Sequence, residues 1–226
     1  MRYAYKPLAH LGEDRGARLV NHLYAEGARF SRAFYYYWRT VLELDEAEAR
    51  RRTAEELRSS ANTILSHLDD SAMFAVGLVD GGGFQPIGLF GLRPLLAHAE
   101  GAALEQAIAD RYPRPYGICH ALGLLDEFAS LDALRATLLI VAEKSLAGGY
   151  GCLFFYTSDH RLRAIYRRFG MEFPPALAMP RSLHLVGMYD PRDPGNLARM
   201  RAVAKRLRSQ DGASLVASRS ERSALR

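Results

Sequence analysis

The chain has 226 residues, 49% of them hydrophobic and 24% charged, which is typical of a folded globular protein and excludes a disordered chain. No apolar run reaches the roughly 18 residues of a membrane-spanning helix, and the N-terminus lacks the apolar core of a signal peptide. Two cysteines, Cys119 and Cys152, lie in apolar strand-like runs. They predict buried thiols in a cytoplasmic protein and no metal site.

The net charge of +5 is concentrated at the C-terminal end. Residues 191–226 carry nine Lys or Arg against three Asp or Glu, so this segment is +6 and residues 1–190 sum to −1. We therefore expect two parts, a body over 1–190 and a basic C-terminal helix with a mobile tail over 191–226. Such a tail is most often a solvated end, but it could also contact an acidic carrier protein, an anionic membrane surface or nucleic acid; no nucleic-acid-binding motif is present.

The first 68 residues predict an edge strand followed by helices. Residues 1–9 alternate as an edge strand or arm, and an apolar stripe begins a helix near Asp14. The aromatic run Phe34–Trp38 holds the only Trp, and a long helix is expected over Asp45–Leu68. We expect the aromatic run to line an acyl or acceptor pocket, or to pack in the core.

After residue 70, strand and helix patterns alternate, with a glycine-rich turn between the first two strands. The predicted elements are strands Ala72–Val79 and Pro86–Leu92, helix Ala97–Arg111, strand Ile118–Leu125, helix Ser130–Ala147, strand Cys152–Tyr156, strand Leu183–Tyr189 and a basic helix Asn196–Arg208.

The stretch from Gly149 to Phe173 carries the most specific signal. A short apolar strand is followed by N-cap residues, an amphipathic helix and a closing glycine, Gly170. The spacing Tyr166-x-x-x-Gly170, with Asp159 seven residues before the tyrosine, resembles the C-terminal half of the GNAT acyltransferases. In this family Asn is usual at the position of Asp159 and Phe at that of Met171, and the likeness covers about residues 70–190.

This resemblance implies an α/β fold with a mixed, largely antiparallel sheet flanked by helices on both faces. It also implies N-acyl transfer from a thioester to a small-molecule amine. In the family, a tyrosine at the position of Tyr166 often protonates the leaving thiolate, although it can also be a packing residue. The strand over 118–125 corresponds to the pantetheine-binding strand, so Leu122, Gly123, Leu124 and Leu125, together with Asp159, are the expected donor-binding residues.

A general base is less well marked. Glu127 follows the predicted strand at a position where a carboxylate can face the acceptor, and Asp126 lies beside it. His120 is within the strand and is more typical of a core histidine.

The phosphate-binding loop of the family is missing. Its glycine pattern falls on Ala129–Leu134, which contains no glycine, and Asp126 and Asp132 place negative charge where a pyrophosphate would lie. The donor is therefore expected to be an acyl group on an acyl carrier protein or on coenzyme A held in an unusual way. N-acyl amino acid synthases and autoinducer synthases are GNAT-like proteins that use carrier-bound donors. The alternative is a GNAT-like binding or regulatory module without catalysis.

Overall fold

One six-stranded sheet forms the centre of the protein. The computed structural model describes residues 2–80, 83–95, 99–157, 162–177 and 185–201. The strands are β1 (Arg2–Pro7), β2 (Met73–Asp80), β3 (Gly83–Pro94), β4 (Tyr116–Leu124), β5 (Cys152–Thr157) and β6 (Leu185–Tyr189). They lie side by side in chain order, and neighbours are antiparallel except for the parallel pair β4 and β5.

Within the described residues, six α-helices connect these strands. They are α1 (Glu13–Asn21), α2 (Ala28–Tyr36), α3 (Glu46–Leu65), α4 (Ala99–Ile108), α5 (Leu131–Ala147) and α6 (Arg163–Arg168). Two helices begin where the sequence pattern starts them, and the first residue of each predicted range is a side-chain cap: Asp45 accepts from the Glu48 amide, and Ser130 accepts from the Ala133 amide. One π-helical turn follows each of α1 and α2, at His22–Glu26 and Tyr37–Val41.

Alternation along the strands gives the sheet two buried faces. In β2, Met73 and Ala75 pack against the N-terminal helices, and Phe74 and Val76 pack with α5. Tyr116 and Phe154 belong to a third cluster, with Leu104 and Ile108 of α4. The structure confirms the predicted fold class, a mixed, mostly antiparallel sheet with helices on both faces.

Near the C-terminus the described residues join the same core. Gly170 ends the α6 region with φ of +88°, as predicted, and Glu172 then forms an isolated antiparallel bridge to Met188. Residues 194–201 are helical, and Leu197 and Met200 are buried in the cluster that contains α5. The division at residue 190 stays a prediction, and residues 202–226 lie outside the described part.

The feature that positions the site is the separation of β4 from β5. Their pairing ends at Cys119 with Phe155, although β4 continues to Leu124 and β5 to Thr157. The pairing of β4 with β3 contains a β-bulge. The segment from His120 to Gly123 on β4 has one residue more than the segment that it opposes on β3, and Ala121 within it has φ of +55°. The bulge redirects β4, and a gap opens between the two strands.

Candidate functional site

A cavity of about 580 Å³ occupies the gap between β4 and β5, a volume typical of small-molecule sites. One wall is formed by His120–Leu124 of β4 and the opposite wall by Phe155–Thr157 of β5. Helices α2 and α3 close the cavity on one side, and the first turn of α5 and helix α6 complete the lining. Most of the lining is apolar, with polar groups confined to a few positions.

Tyr166 lies in this lining, on the face of α6 that also presents Leu162 and Ile165. Its side chain is 7% exposed and belongs to the same core cluster as Phe169. The tyrosine therefore both packs in the core and reaches the cavity where β4 and β5 separate. Its role as an acid stays a prediction.

The structure brings three of the four predicted residues of β4 to the cavity. Leu122, Gly123 and Leu124 line it, whereas Leu125 packs with the N-terminal helices and its amide donates to the Ile87 carbonyl over 2.8 Å. Asp159, the fifth predicted donor-binding residue, lies outside the described residues.

Gly123 is in close contact with an aromatic ring from α2. A Cβ atom at Gly123 would lie 2.7 Å from Cε2 of Phe30, so the ring rests directly on the backbone of β4. Phe30 in turn stacks on Tyr24, with the ring centroids 4.6 Å apart. The absence of a side chain at Gly123 thus makes room for α2 to close the cavity.

Two carboxylates follow β4, and the structure separates their roles. Asp126 Oδ2 accepts from the Ala28 amide over 2.7 Å and Oδ1 lies 3.5 Å from Arg29, so Asp126 caps α2 from 98 positions away. Glu127 Oε2 lies 3.7 Å from Nε2 of His22 and does not belong to the cavity lining. The structure does not bring Glu127 to Tyr166, and its role as a base stays a prediction.

The first turn of α5 lies at one end of the cavity, where Ala129, Ser130 and Leu131 contribute to the wall. The Ser130 hydroxyl already caps the Ala133 amide, and Asp132 lies 3.5 Å from Arg135, whose side chain is 14% exposed. No glycine lies in this turn. The local charge is therefore balanced by residues of the protein itself.

His120 lines the cavity from β4 but its imidazole packs against the backbone of Gly91. Burial, and then the charge of Arg93, lowers the pKa of His120 to about 4, so the ring is neutral at neutral pH. Among the described residues, no partner hydrogen-bonds its Nε2 atom.

Several lining residues were not predicted. From α2 and the turn before it come Tyr24, Arg29 and Phe30, and α3 adds a polar stripe. Of the predicted aromatic run only Phe34 lines the cavity, and Tyr37 is buried outside its lining. A dense aromatic run indicated an apolar wall, but its local spacing did not show which rings face β4.

Other predicted properties concern the whole described chain. Both cysteines are buried free thiols, as expected. Within residues that the structure describes, no cluster of three or more His, Cys, Asp or Glu side chains is placed to hold a metal ion. None of the helices in that part combines the length and the apolar character required to cross a membrane.

Comparison with known proteins places the fold. No family model and no curated protein matches the chain. Similar solved structures include a GNAT-family acetyltransferase from Listeria monocytogenes 4b F2365, with a TM-score of 0.52 and 9% identity over 83% of this chain and 94% of that one. PaiA N-acetyltransferase from Thermoplasma acidophilum, solved in complex with coenzyme A, has a TM-score of 0.48 and 11% identity over 84% of this chain and 99% of that one. FeeM, an N-acyl amino acid synthase from uncultured soil microbes, has a TM-score of 0.48 and 12% identity over 85% and 92%. The chain has the GNAT acyltransferase fold.

Proposed function

We propose that this GNAT-fold protein is an N-acyltransferase that moves an acyl group from a thioester to a small-molecule amine. The observation that carries the proposal is the cavity between the separated strands β4 and β5, with Tyr166 in its wall. Beyond Cys119, β4 has no pairing with β5, so its edge backbone groups are available to the amides of a pantetheine arm. A thioester bound along this edge brings its carbonyl group into the cavity.

The reaction needs few protein groups. The amine nitrogen, as the free base, attacks the thioester carbonyl carbon, the C–N bond forms, and the C–S bond breaks. The Tyr166 hydroxyl gives its proton to the leaving thiolate, and the proton that the amine loses restores the phenol through solvent. Backbone amides of the unpaired part of β4 stabilise the oxyanion in the transition state.

The α5 end of the cavity favours a thioester donor whose affinity gains little from the nucleotide part of coenzyme A. The capped first turn of α5 offers no glycine loop for a pyrophosphate. Helix α6 also presents three exposed arginines to an acidic carrier protein, namely Arg163, Arg167 and Arg168.

The proposal is tested by incubating the protein with matched acyl-pantetheine, acyl-CoA and acyl carrier protein thioesters of several chain lengths. Thermal protection reports donor binding, since a ligand at 100 times its Kd stabilises the fold by about 2.7 kcal/mol. Amine-dependent release of free thiol reports transfer. We expect both with at least one donor, and protection without any thiol release would favour the non-catalytic binding module instead.

A further inference from the structure

One wall of the cavity is polar, and it is a single face of α3. Four polar residues of this helix line the cavity: Glu56, Ser59, Ser60 and Thr63. The last three follow Glu56 by three, four and seven residues, which places all four on one face of the helix. The stacked rings of Tyr24 and Phe30 belong to the same lining. A ligand in the cavity would therefore meet both a hydroxyl and carboxylate surface and an aromatic surface.

Glu56 is distinguished from the other glutamates of α3. Glu46 pairs with Arg50, Glu48 with Arg51 and Arg52, and Glu55 with Arg51, all on the exposed side of the helix. Among the residues that the structure describes, Glu56 has no cation within salt-bridge distance, and its Oε1 accepts only from Ser60 Oγ over 3.4 Å. Within the described lining, Glu56 is the only carboxylate, and it is the glutamate of α3 that no arginine of the helix neutralises.

The positive groups of the described lining do not compensate for this charge. Arg29 donates to the Ala129 carbonyl over 2.6 Å and lies 3.5 Å from Asp126, so its guanidinium is already engaged. His120, the other basic side chain of the described lining, is half-buried and neutral. A half-buried carboxylate in a cavity that is also lined by aromatic rings is a site for a cation.

We infer that the acceptor is a primary ammonium ion with an apolar body and without a carboxylate, held with its ammonium group on Glu56 and its body against Tyr24 and Phe30. This inference rests on the proposed function, because it assigns the acceptor to the α3 wall of the same cavity. An amino acid is disfavoured because Arg29, the only guanidinium in the described lining, already binds protein groups. The ammonium ion loses its proton to solvent before the free amine attacks.

Three probes that share a phenyl ring on a two-carbon chain test this binding without requiring turnover. Phenethylammonium is a cation, 2-phenylethanol is its neutral counterpart, and phenylalanine adds a carboxylate. By calorimetric titration of the full-length protein we expect phenethylammonium to bind about 10- to 100-fold more tightly than either of the others, the range of a charge-assisted hydrogen bond. Equal affinities, tighter binding of phenylalanine, or no binding of phenethylammonium at 10 mM would overturn the inference.

Variants of α3 locate the effect. Glu56→Gln keeps the acceptor for Ser60 and should abolish the preference for phenethylammonium over 2-phenylethanol, while Glu56→Asp should retain part of it. Glu55→Gln is the matched control, since Glu55 is the neighbouring glutamate on the exposed side. An equal loss in Glu55→Gln would refute the assignment. Selective binding of phenethylammonium together with no thiol release from any thioester would support this site and refute acyl transfer.

Discussion

Replacing Tyr166 by Phe removes one hydroxyl group and keeps the ring in the core. Because the side chain is 7% exposed and packs with Phe169, the free energy of unfolding should fall by about 1 kcal/mol, the typical value of one buried hydrogen bond. If the hydroxyl protonates the leaving thiolate, kcat should fall by about 10²- to 10⁴-fold, equivalent to about 3 to 5 kcal/mol of transition-state stabilisation. The expected increase in activation free energy is therefore larger than the expected decrease in the free energy of unfolding.

The choice of leaving group separates acid catalysis from positioning. An alkyl thiolate such as that of pantetheine needs protonation, whereas an aryl thiolate is a weaker base and leaves without it. Tyr166→Phe should therefore be slow with acyl-pantetheine and nearly normal with the matching thiophenyl ester, measured as steady-state thiol release.

Tyr189→Phe is the matched control, since Tyr189 is a fully buried tyrosine of the same core that does not line the cavity. It should leave both rates within about twofold of the wild type. An equal loss of Tyr166→Phe activity with both esters, or no loss with either, would refute acid catalysis by this residue.

Further predictions concern the cavity wall, the donor and pH. Gly123→Ala should push Phe30 away from β4 and weaken acyl-pantetheine binding, and Phe30→Ala in the same chain should restore it, as measured by calorimetry. Dissociation constants for acyl-pantetheine and the matching acyl-CoA should lie within about tenfold of each other. Asp132→Asn should strengthen the binding of acyl-CoA only, because it removes a negative charge near the pyrophosphate. A hundredfold preference of the wild type for acyl-CoA would contradict the placement of the pyrophosphate beside Asp132. The pKa of His120, about 4 in the fold and about 6.5 when unfolded, means that the unfolded chain binds the proton more readily. Stability should therefore fall by up to about 3 kcal/mol as pH falls from 6.5 to 4, and urea unfolding of His120→Asn should lack this component.

The fold was predictable because its signals are local. Asp45 and Ser130 cap helices within three residues of themselves, and Gly170 ends one, so the sequence pattern alone marks these boundaries. The Tyr166-to-Gly170 spacing then indicated the family resemblance, and the structure confirms the fold that this resemblance implied.

The cavity was only partly predictable because its walls meet across long distances in sequence. Phe30 rests on Gly123, and Asp126 caps the helix that begins at Ala28, contacts that span more than 90 positions. No periodicity within a window of 10 or 20 residues encodes such contacts. Glu56 is not identifiable from sequence for a related reason, since along α3 it resembles the paired glutamates and differs only in the surface that it faces.

The long-range contacts of the carboxylates near α5 also affect which donor the cavity can bind. The sequence predicts that Asp126 and Asp132 repel phosphates directly. In the structure Asp126 caps α2 and lies near Arg29, while Asp132 lies near Arg135, so each carboxylate has a nearby guanidinium. Repulsion is then weaker than two free charges would give, and the lack of a glycine loop is the stronger reason to expect little affinity for a pyrophosphate. Because Asp126 also holds α2 over the cavity, its replacement would alter the aromatic wall, so only Asp132 reports on the phosphates alone.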